Sequence, residues 1–197
     1  MKLIIDLILS GLIFFNASSI EPKKIYFDNN CSIVSDSSKA SYVVQCTYVD
    51  NKLSPTHLTR LFDYPSFILI SEGYYSQIHP YKIAATGIRK TYYMNGVLKG
   101  ISNWTDDKPN GPYKNFFANG KVQEEANVTN GIFNGKYSIY YDNGQIEETG
   151  YDENNYRVGS YKKWDKNGNY LGEFFWETNT PSINDPYWWQ NQGICRH

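Results

Sequence analysis

Two pairs of adjacent carboxylates, Glu124-Glu125 and Glu147-Glu148, recur at nearly one spacing and are the residues best suited to acid–base work. A catalytic carboxylate pair needs one protonated and one ionised member aimed at the same substrate. Here each pair follows an Asn-Gly dipeptide inside a strand-like run, where a solvated acidic face accounts for it. His57, His79 and His197 are scattered, which fits surface residues rather than a general base. No Cys-x-x-Cys occurs and no Cys/His pair has zinc spacing, so no metal is expected. Asp165 to Asn169 has the flavour of a calcium loop but lacks its sixth-position glycine and distal glutamate. Gly-x-Ser-x-Gly, His-Glu-x-x-His, phosphate-loop and dinucleotide motifs are all missing. The expectation is a protein that is not an enzyme and carries no cofactor.

Charge points the same way. Nineteen basic residues face 20 acidic ones, a net charge of -1, which argues against nucleic-acid binding driven by phosphate attraction. Aromatic residues make up 17% of the chain, and Tyr and Trp bury large area at interfaces with little entropy loss. The composition favours contact over chemistry.

The start of the chain has the layout of a secretory signal peptide over residues 1–19: Lys2, the mostly apolar Leu3 to Phe15, then Ala17-Ser18-Ser19. Asp6 is out of place inside that run. Export would permit a disulfide, and Cys31 and Cys46 are the candidates, closing a loop for ~3 kcal/mol. Cys195 is left over and is available to link two chains.

What must position all these groups is a repeat. Asn-Gly occurs at Asn95-Gly96, Asn119-Gly120, Asn143-Gly144 and Asn167-Gly168, in steps of 24 residues, and Gly87, Gly111, Gly135 and Gly159 keep the same step. Tyr92, Phe116, Tyr140 and Trp164 share one register; Tyr93, Phe117 and Tyr141 share the next, which Asp165 breaks. Asn-Gly between apolar runs signals a hairpin, here expected with a type I′ turn. Four such hairpins over residues 87–180 predict an elongated antiparallel β-meander, each unit leaning on its neighbours. Residues 181–197 read as a degenerate capping repeat, with Trp188-Trp189 as its plug. Residues 20–86 lack the period and are expected to form a small α+β N-terminal cap. Its helix is expected at Ser54 to Phe62, with Leu58, Leu61 and Phe62 on one face.

Most of the registered rings are therefore the spine of the fold. The rings expected to meet a partner are Trp104, Phe133, Tyr151, Tyr156 and Trp176, with Glu124, Glu125, Glu147 and Glu148 as electrostatic partners for a basic surface. Open sheet ends also invite homodimerisation.

Units such as GPYKNFFANGKVQEE and GKYSIYYDNGQIEETG resemble MORN-type repeats, in the bacterial form seen in the YwqK antitoxin family. The resemblance runs from Gly87 to about Trp176 and implies hairpins in an elongated, slightly curved sheet. It also implies a protein-binding module, an antitoxin or immunity protein in the bacterial cases. Joined to the signal peptide, it leads to the expectation of a periplasmic or secreted protein that binds and occludes a toxin. The alternative is an envelope scaffold or a glycan- or lipid-binding module, with a membrane surface the less favoured partner.

Overall fold

The computed structural model describes residues 23–28, 32–46, 48–49, 52–53, 58–79, 82–176 and 180–181. The signal-peptide segment, Cys31, Cys195 and the Trp188-Trp189 plug lie outside them.

The described chain is almost all β. Its strands are β1 (Lys23–Phe27), β2 (Ile33–Val34), β3 (Tyr42–Cys46), β4 (Tyr48–Val49), β5 (Lys52–Leu53), β6 (Leu58–Asp63), β7 (Leu69–His79) and β8 (Lys82–Tyr92). They continue with β9 (Leu98–Thr105), β10 (Lys108–Phe116), β11 (Val122–Thr129), β12 (Ile132–Phe133), β13 (Gly135–Tyr140), β14 (Ile146–Glu153), β15 (Tyr156–Trp164), β16 (Tyr170–Phe175) and β17 (Thr180–Pro181). One open sheet runs β16-β15-β14-β13-β11-β10-β9-β8-β7-β6-β3-β1-β2, with β12 on β11, β17 on β15, and β4-β5 paired apart. Neighbours pair antiparallel throughout, as in the β8–β9 and β14–β15 hairpins.

The helix expected at 54–62 is not found over its described residues, 58–62. Leu58–Asp63 is strand β6, hydrogen-bonded to β3 on one side and β7 on the other; Ser54 to His57 lie outside the described residues. The same residues satisfy a period of two, with Thr59 buried and Arg60 exposed. Two neighbouring strands then meet the backbone needs of this segment, and tertiary pairing overrides local preference. The described part of the 20–86 segment holds only a 3₁₀ turn at Ser37–Lys39 besides its strands, so it extends the sheet as β structure.

The Asn-Gly turns are placed as expected but differ in type. Gly96 N–H donates to Tyr93 O at 2.9 Å and Tyr93 N–H to Val97 O at 2.8 Å. Only the glycine has positive φ (80°), not the asparagine. This is a type I turn closed by a left-handed glycine, the arrangement of a three-residue hairpin with a bulge. A separate register shift follows between Thr91 and Tyr92, where the strands leave the turn. Type I′ geometry occurs at the opposite edge. There Asp106-Asp107, Asn130-Gly131 and Asn154-Asn155 have positive φ at both positions and join strands through two-residue links.

The Asn-Gly edge is laced along its length. Asn119 Oδ1 accepts Lys121 N–H at 3.0 Å, while its Nδ2 donates to Asp142 O of the next turn at 2.8 Å. Asn143 repeats this with Gln145 N–H at 3.0 Å and Lys166 O at 2.7 Å. Tyr93 and Tyr141 hydroxyls also reach one unit ahead, to Phe116 O and Trp164 O.

Alternation along each strand gives two chemically distinct faces. One row crosses the sheet as Arg60, Glu72, Lys90, Ile101, Lys114, Glu125, Ser138, Thr149, Lys162 and Glu173. This polar face carries the Arg60–Glu72 (3.4 Å) and Lys90–Glu72 (3.5 Å) pairs and the Lys114–Glu125 pair. The opposite face holds the cores. Phe27, Val44 and Cys46 pack at one end, Tyr75, Ala85 and Trp104 in the middle, and Ala126, Val128, Phe133 and Tyr137 further on.

Tyr137 lies across Gly150 on the paired strand. A Cβ there would come within 2.7 Å of the Tyr137 hydroxyl and 2.8 Å of its ring. Gly150→Ala must therefore displace a buried, hydrogen-bonded ring, and the expected cost is about 1–3 kcal/mol in a urea-unfolding titration; an unchanged midpoint would contradict this packing.

Candidate functional site

The row beside the charged one belongs to the packed face and changes character along its length. It begins Leu61, Ser71, Thr91, Gly100 and Asn115, then continues Glu124, Ile139, Glu148 and Lys163. The first stretch is small and polar, and above it a trough of about 550 Å³ opens. Its floor is Ser71, Thr91, Gly100 and Asn115. Tyr93 and Met94 of the first Asn-Gly turn stand on one side, Arg89 and Tyr113 on the other, with Tyr42 and Leu61 at one end. Residues from β3 to β10 take part, which across five interstrand spacings is a length of roughly 24 Å. Gly100 keeps the floor low: a Cβ there would press on Asn115 Oδ1 at 2.9 Å and Thr91 Oγ1 at 3.1 Å.

Arg89 occupies the position that Tyr113, Tyr137 and Tyr161 hold in later units. It is 7% exposed, with its guanidinium 5.7 Å from the Trp104 ring centroid. Lys99 stands over the Tyr93 ring at 5.6 Å. Burial pushes the Tyr113 hydroxyl up, and the Glu124 charge adds to it, so Tyr113 is a neutral hydrogen-bonding group at working pH. Across the sheet on the polar face, burial and the hydrogen bond to Glu72 push Tyr92 up to about 12. The trough presents aromatic walls, hydroxyl and amide groups, and two cations. It can hold an extended chain, and no nucleophile–base pair is among its lining residues.

The second half of the same row is filled by a buried polar network. Glu148 Oε1 accepts from Tyr137 Oη at 2.8 Å and from Arg157 Nη1 at 3.1 Å, and Lys163 Nζ stands 4.0 Å from Oε2. Arg157 packs on the Tyr137 ring at 4.6 Å. Among the described residues no cluster of His, Cys, Asp and Glu is arranged to hold a metal ion.

The four glutamates expected to face a basic partner are divided between the two faces by this geometry. Glu125 is on the polar face, paired with Lys114 and accepting from Tyr140 Oη at 3.0 Å. Glu124 points the other way, opposite Asn115 and Ile139. Glu147 and Glu148 part in the same manner, Glu147 half-buried and Glu148 buried. What the sheet brings into one row is Glu124 and Glu148, with Ile139 between them.

Burial holds the Glu124 carboxyl above its usual range despite the attraction of Arg157. The folded protein thus binds this proton more tightly than the unfolded chain. Stability falls as pH rises from the ordinary glutamate value, about 4.3, through the raised one. Glu124→Gln removes that loss. The melting temperature of the variant should match wild type near pH 4 and exceed it increasingly toward neutrality; a gap that shrinks as pH rises would overturn the assignment.

The expected contact rings also divide. Trp104 and Phe133 are each only 2% exposed, so neither offers a surface to a partner. Both belong to one buried line: Trp104 pairs with Pro109, and Val128 with Phe133. Trp176 is stacked on Tyr161 at 4.4 Å. Tyr151 and Tyr156 are exposed at 50% and 41%, together near the type I′ edge of β14–β15. Cys46 is fully buried, while its expected partner Cys31 falls outside the described residues. The trough residues were missed. Their signal is that the first unit places Thr91 and Gly100 where later units place Asn115 and Glu124.

Three consecutive stretches, residues 85–106, 109–130 and 133–154, match the MORN repeat variant. Each spans a strand, an Asn-Gly turn and the strand that returns. No curated protein matches the chain. Among the described residues, no helix is long and apolar enough to cross a membrane.

Proposed function

We propose that this MORN-type repeat protein is a non-enzymatic binding protein that seats an extended segment of a protein partner in the trough. The finer reading is an exported immunity or antitoxin protein that occludes a toxin delivered into the envelope. The observation that carries the binding role is the trough itself, long, walled by Tyr93, Met94 and Tyr113 and floored by small polar groups. Aromatic walls supply area, and small floor residues admit a main chain. The export arm is supported by the apolar leader at Leu3 to Phe15, and the antitoxin arm by the repeat pattern.

The test is periplasmic expression of each neighbouring gene product, with and without this protein. A toxic neighbour should be neutralised by the wild type. Neutralisation should be lost with Thr91→Arg, which fills the floor, and with Met94→Arg on the exposed rim. Tyr151→Ala, at the far edge, should neutralise like wild type. A rescue indifferent to both trough variants would sink the binding role. The absence of any toxic neighbour, with co-sedimentation on purified cell wall, would replace the antitoxin reading with a glycan-binding one.

A further inference from the structure

The four Asn-Gly turns of the 24-residue series share a backbone geometry and differ in how the asparagine side chain is held. In each, the glycine N–H is bonded back across the turn: Gly96 to Tyr93 O, Gly120 to Phe117 O, Gly144 to Tyr141 O and Gly168 to Asp165 O, all at 2.8–2.9 Å. All four asparagines are exposed.

The side chains form a graded series. Asn119 and Asn143 each hold two bonds, accepting from the backbone two residues on and donating to the next turn. Asn95 holds one, accepting Val97 N–H at 3.1 Å. Asn167 holds none among the described residues. Its tying role is taken by Asp165, whose Oδ1 accepts both Asn167 N–H and Asn169 N–H at 2.9 Å. Asp165 stands where the other units have Tyr93, Phe117 and Tyr141.

Asn-Gly has an intrinsic hydrolytic chemistry. The glycine nitrogen attacks the asparagine Cγ, the new N–Cγ bond forms, and the Cγ–Nδ2 bond breaks. Ammonia leaves with the proton from the attacking nitrogen, giving a cyclic succinimide. Solvent water then opens the ring at either carbonyl, giving aspartate or isoaspartate. Glycine permits the approach because it has no Cβ in the way. The attack requires the side chain to turn toward the next nitrogen, and every hydrogen bond made by the amide must break first.

We infer that, of the four Asn-Gly pairs in the 24-residue series, Asn167 deamidates fastest, followed by Asn95, with Asn119 and Asn143 protected by the lacing between turns. The glycine N–H bond across the turn is common to all four and cancels. Each side-chain bond retained slows the reaction by roughly fivefold, from the net strength of one hydrogen bond. Asn167 should convert roughly fivefold faster than Asn95, and over tenfold faster than Asn119 or Asn143. The product places an added negative charge, and in the isoaspartate form an extra backbone methylene, in the β15–β16 turn.

The experiment is peptide mapping by mass spectrometry of the folded full chain, aged in buffer at neutral pH. A parallel sample is aged in concentrated urea. The expected result is the order Asn167, Asn95, then Asn119 and Asn143 in the folded sample, collapsing to near-equal rates in urea. Earliest conversion at Asn119 or Asn143 in the folded protein would overturn the inference. So would four equal rates in the folded protein, or the same order persisting in urea.

Discussion

Glu148→Ala is expected to lower the unfolding free energy by about 3–5 kcal/mol, the usual cost of removing one partner from a buried ion pair. The side chains of Glu148 and Arg157 are only 8% and 17% exposed. Without the carboxylate, Arg157 keeps its desolvation cost while losing a charge-assisted bond, and the Tyr137 hydroxyl loses its acceptor. Glu124 lies close enough for Arg157 to influence its ionisation, which softens the loss and places it toward the low end. Urea titration followed by tyrosine fluorescence reads the change directly. Glu148→Gln, which keeps an acceptor for Tyr137, should lose less. A cost for Glu148→Ala under about 1 kcal/mol would mean that water, rather than the sheet, surrounds this pair.

Phe133→Ala should be comparably damaging, by about 3–5 kcal/mol, through transfer and cavity terms. Phe133 meets Tyr113 edge-on at 5.3 Å and lies in the cluster with Ala126, Val128 and Tyr137. Its backbone N–H also donates to Asn155 Oδ1, 2.7 Å away. The variant should melt far below wild type while any folded fraction binds a partner normally. Tyr151→Ala, exposed on the far edge, should stay within about 0.5 kcal/mol of wild type. Equal stabilities for the two variants would refute this division of the rings into core and surface.

The contrast between Phe133 and Tyr151 shows where the sequence was readable. The turns and the order of strands were legible because glycine must stand where φ is positive, as at Gly96 and Gly120. The spine was legible because Tyr113, Tyr137 and Tyr161 keep both spacing and chemistry. Phe133 reads from sequence as a contact ring rather than core because its position repeats in space while its chemistry does not. The residues 24 before and after it are Pro109 and Arg157, and Pro109 is fully buried while Arg157 is largely so. A position filled by proline, phenylalanine and arginine looks irregular in the chain, though all three cover the same line of the sheet.

The turn type failed for a similar reason. Asn-Gly suits two hairpin geometries, and only the count of residues between paired strands separates them. The helix expected at 54–62 failed because Leu58, Leu61 and Phe62 satisfy a helical spacing while Thr59 and Leu61 satisfy an alternating one. The neighbours β3 and β7 decide between them. The trough was invisible as a site because it is made of what is small rather than what is reactive, as at Ser71, Thr91 and Gly100.

From β6 to β16 the spatial order of the main strands follows the order of the chain. Each strand pairs with those just before and after it in sequence, so no long loop must close before contacts form. All-β proteins usually fold slowly because their pairings are distant. This one is built from local pairings, and its search resembles that of a helical repeat more than that of a sandwich. Any hairpin can start the sheet, and each later one adds to an edge already present. The sheet can therefore assemble strand by strand in chain order as successive hairpins become available.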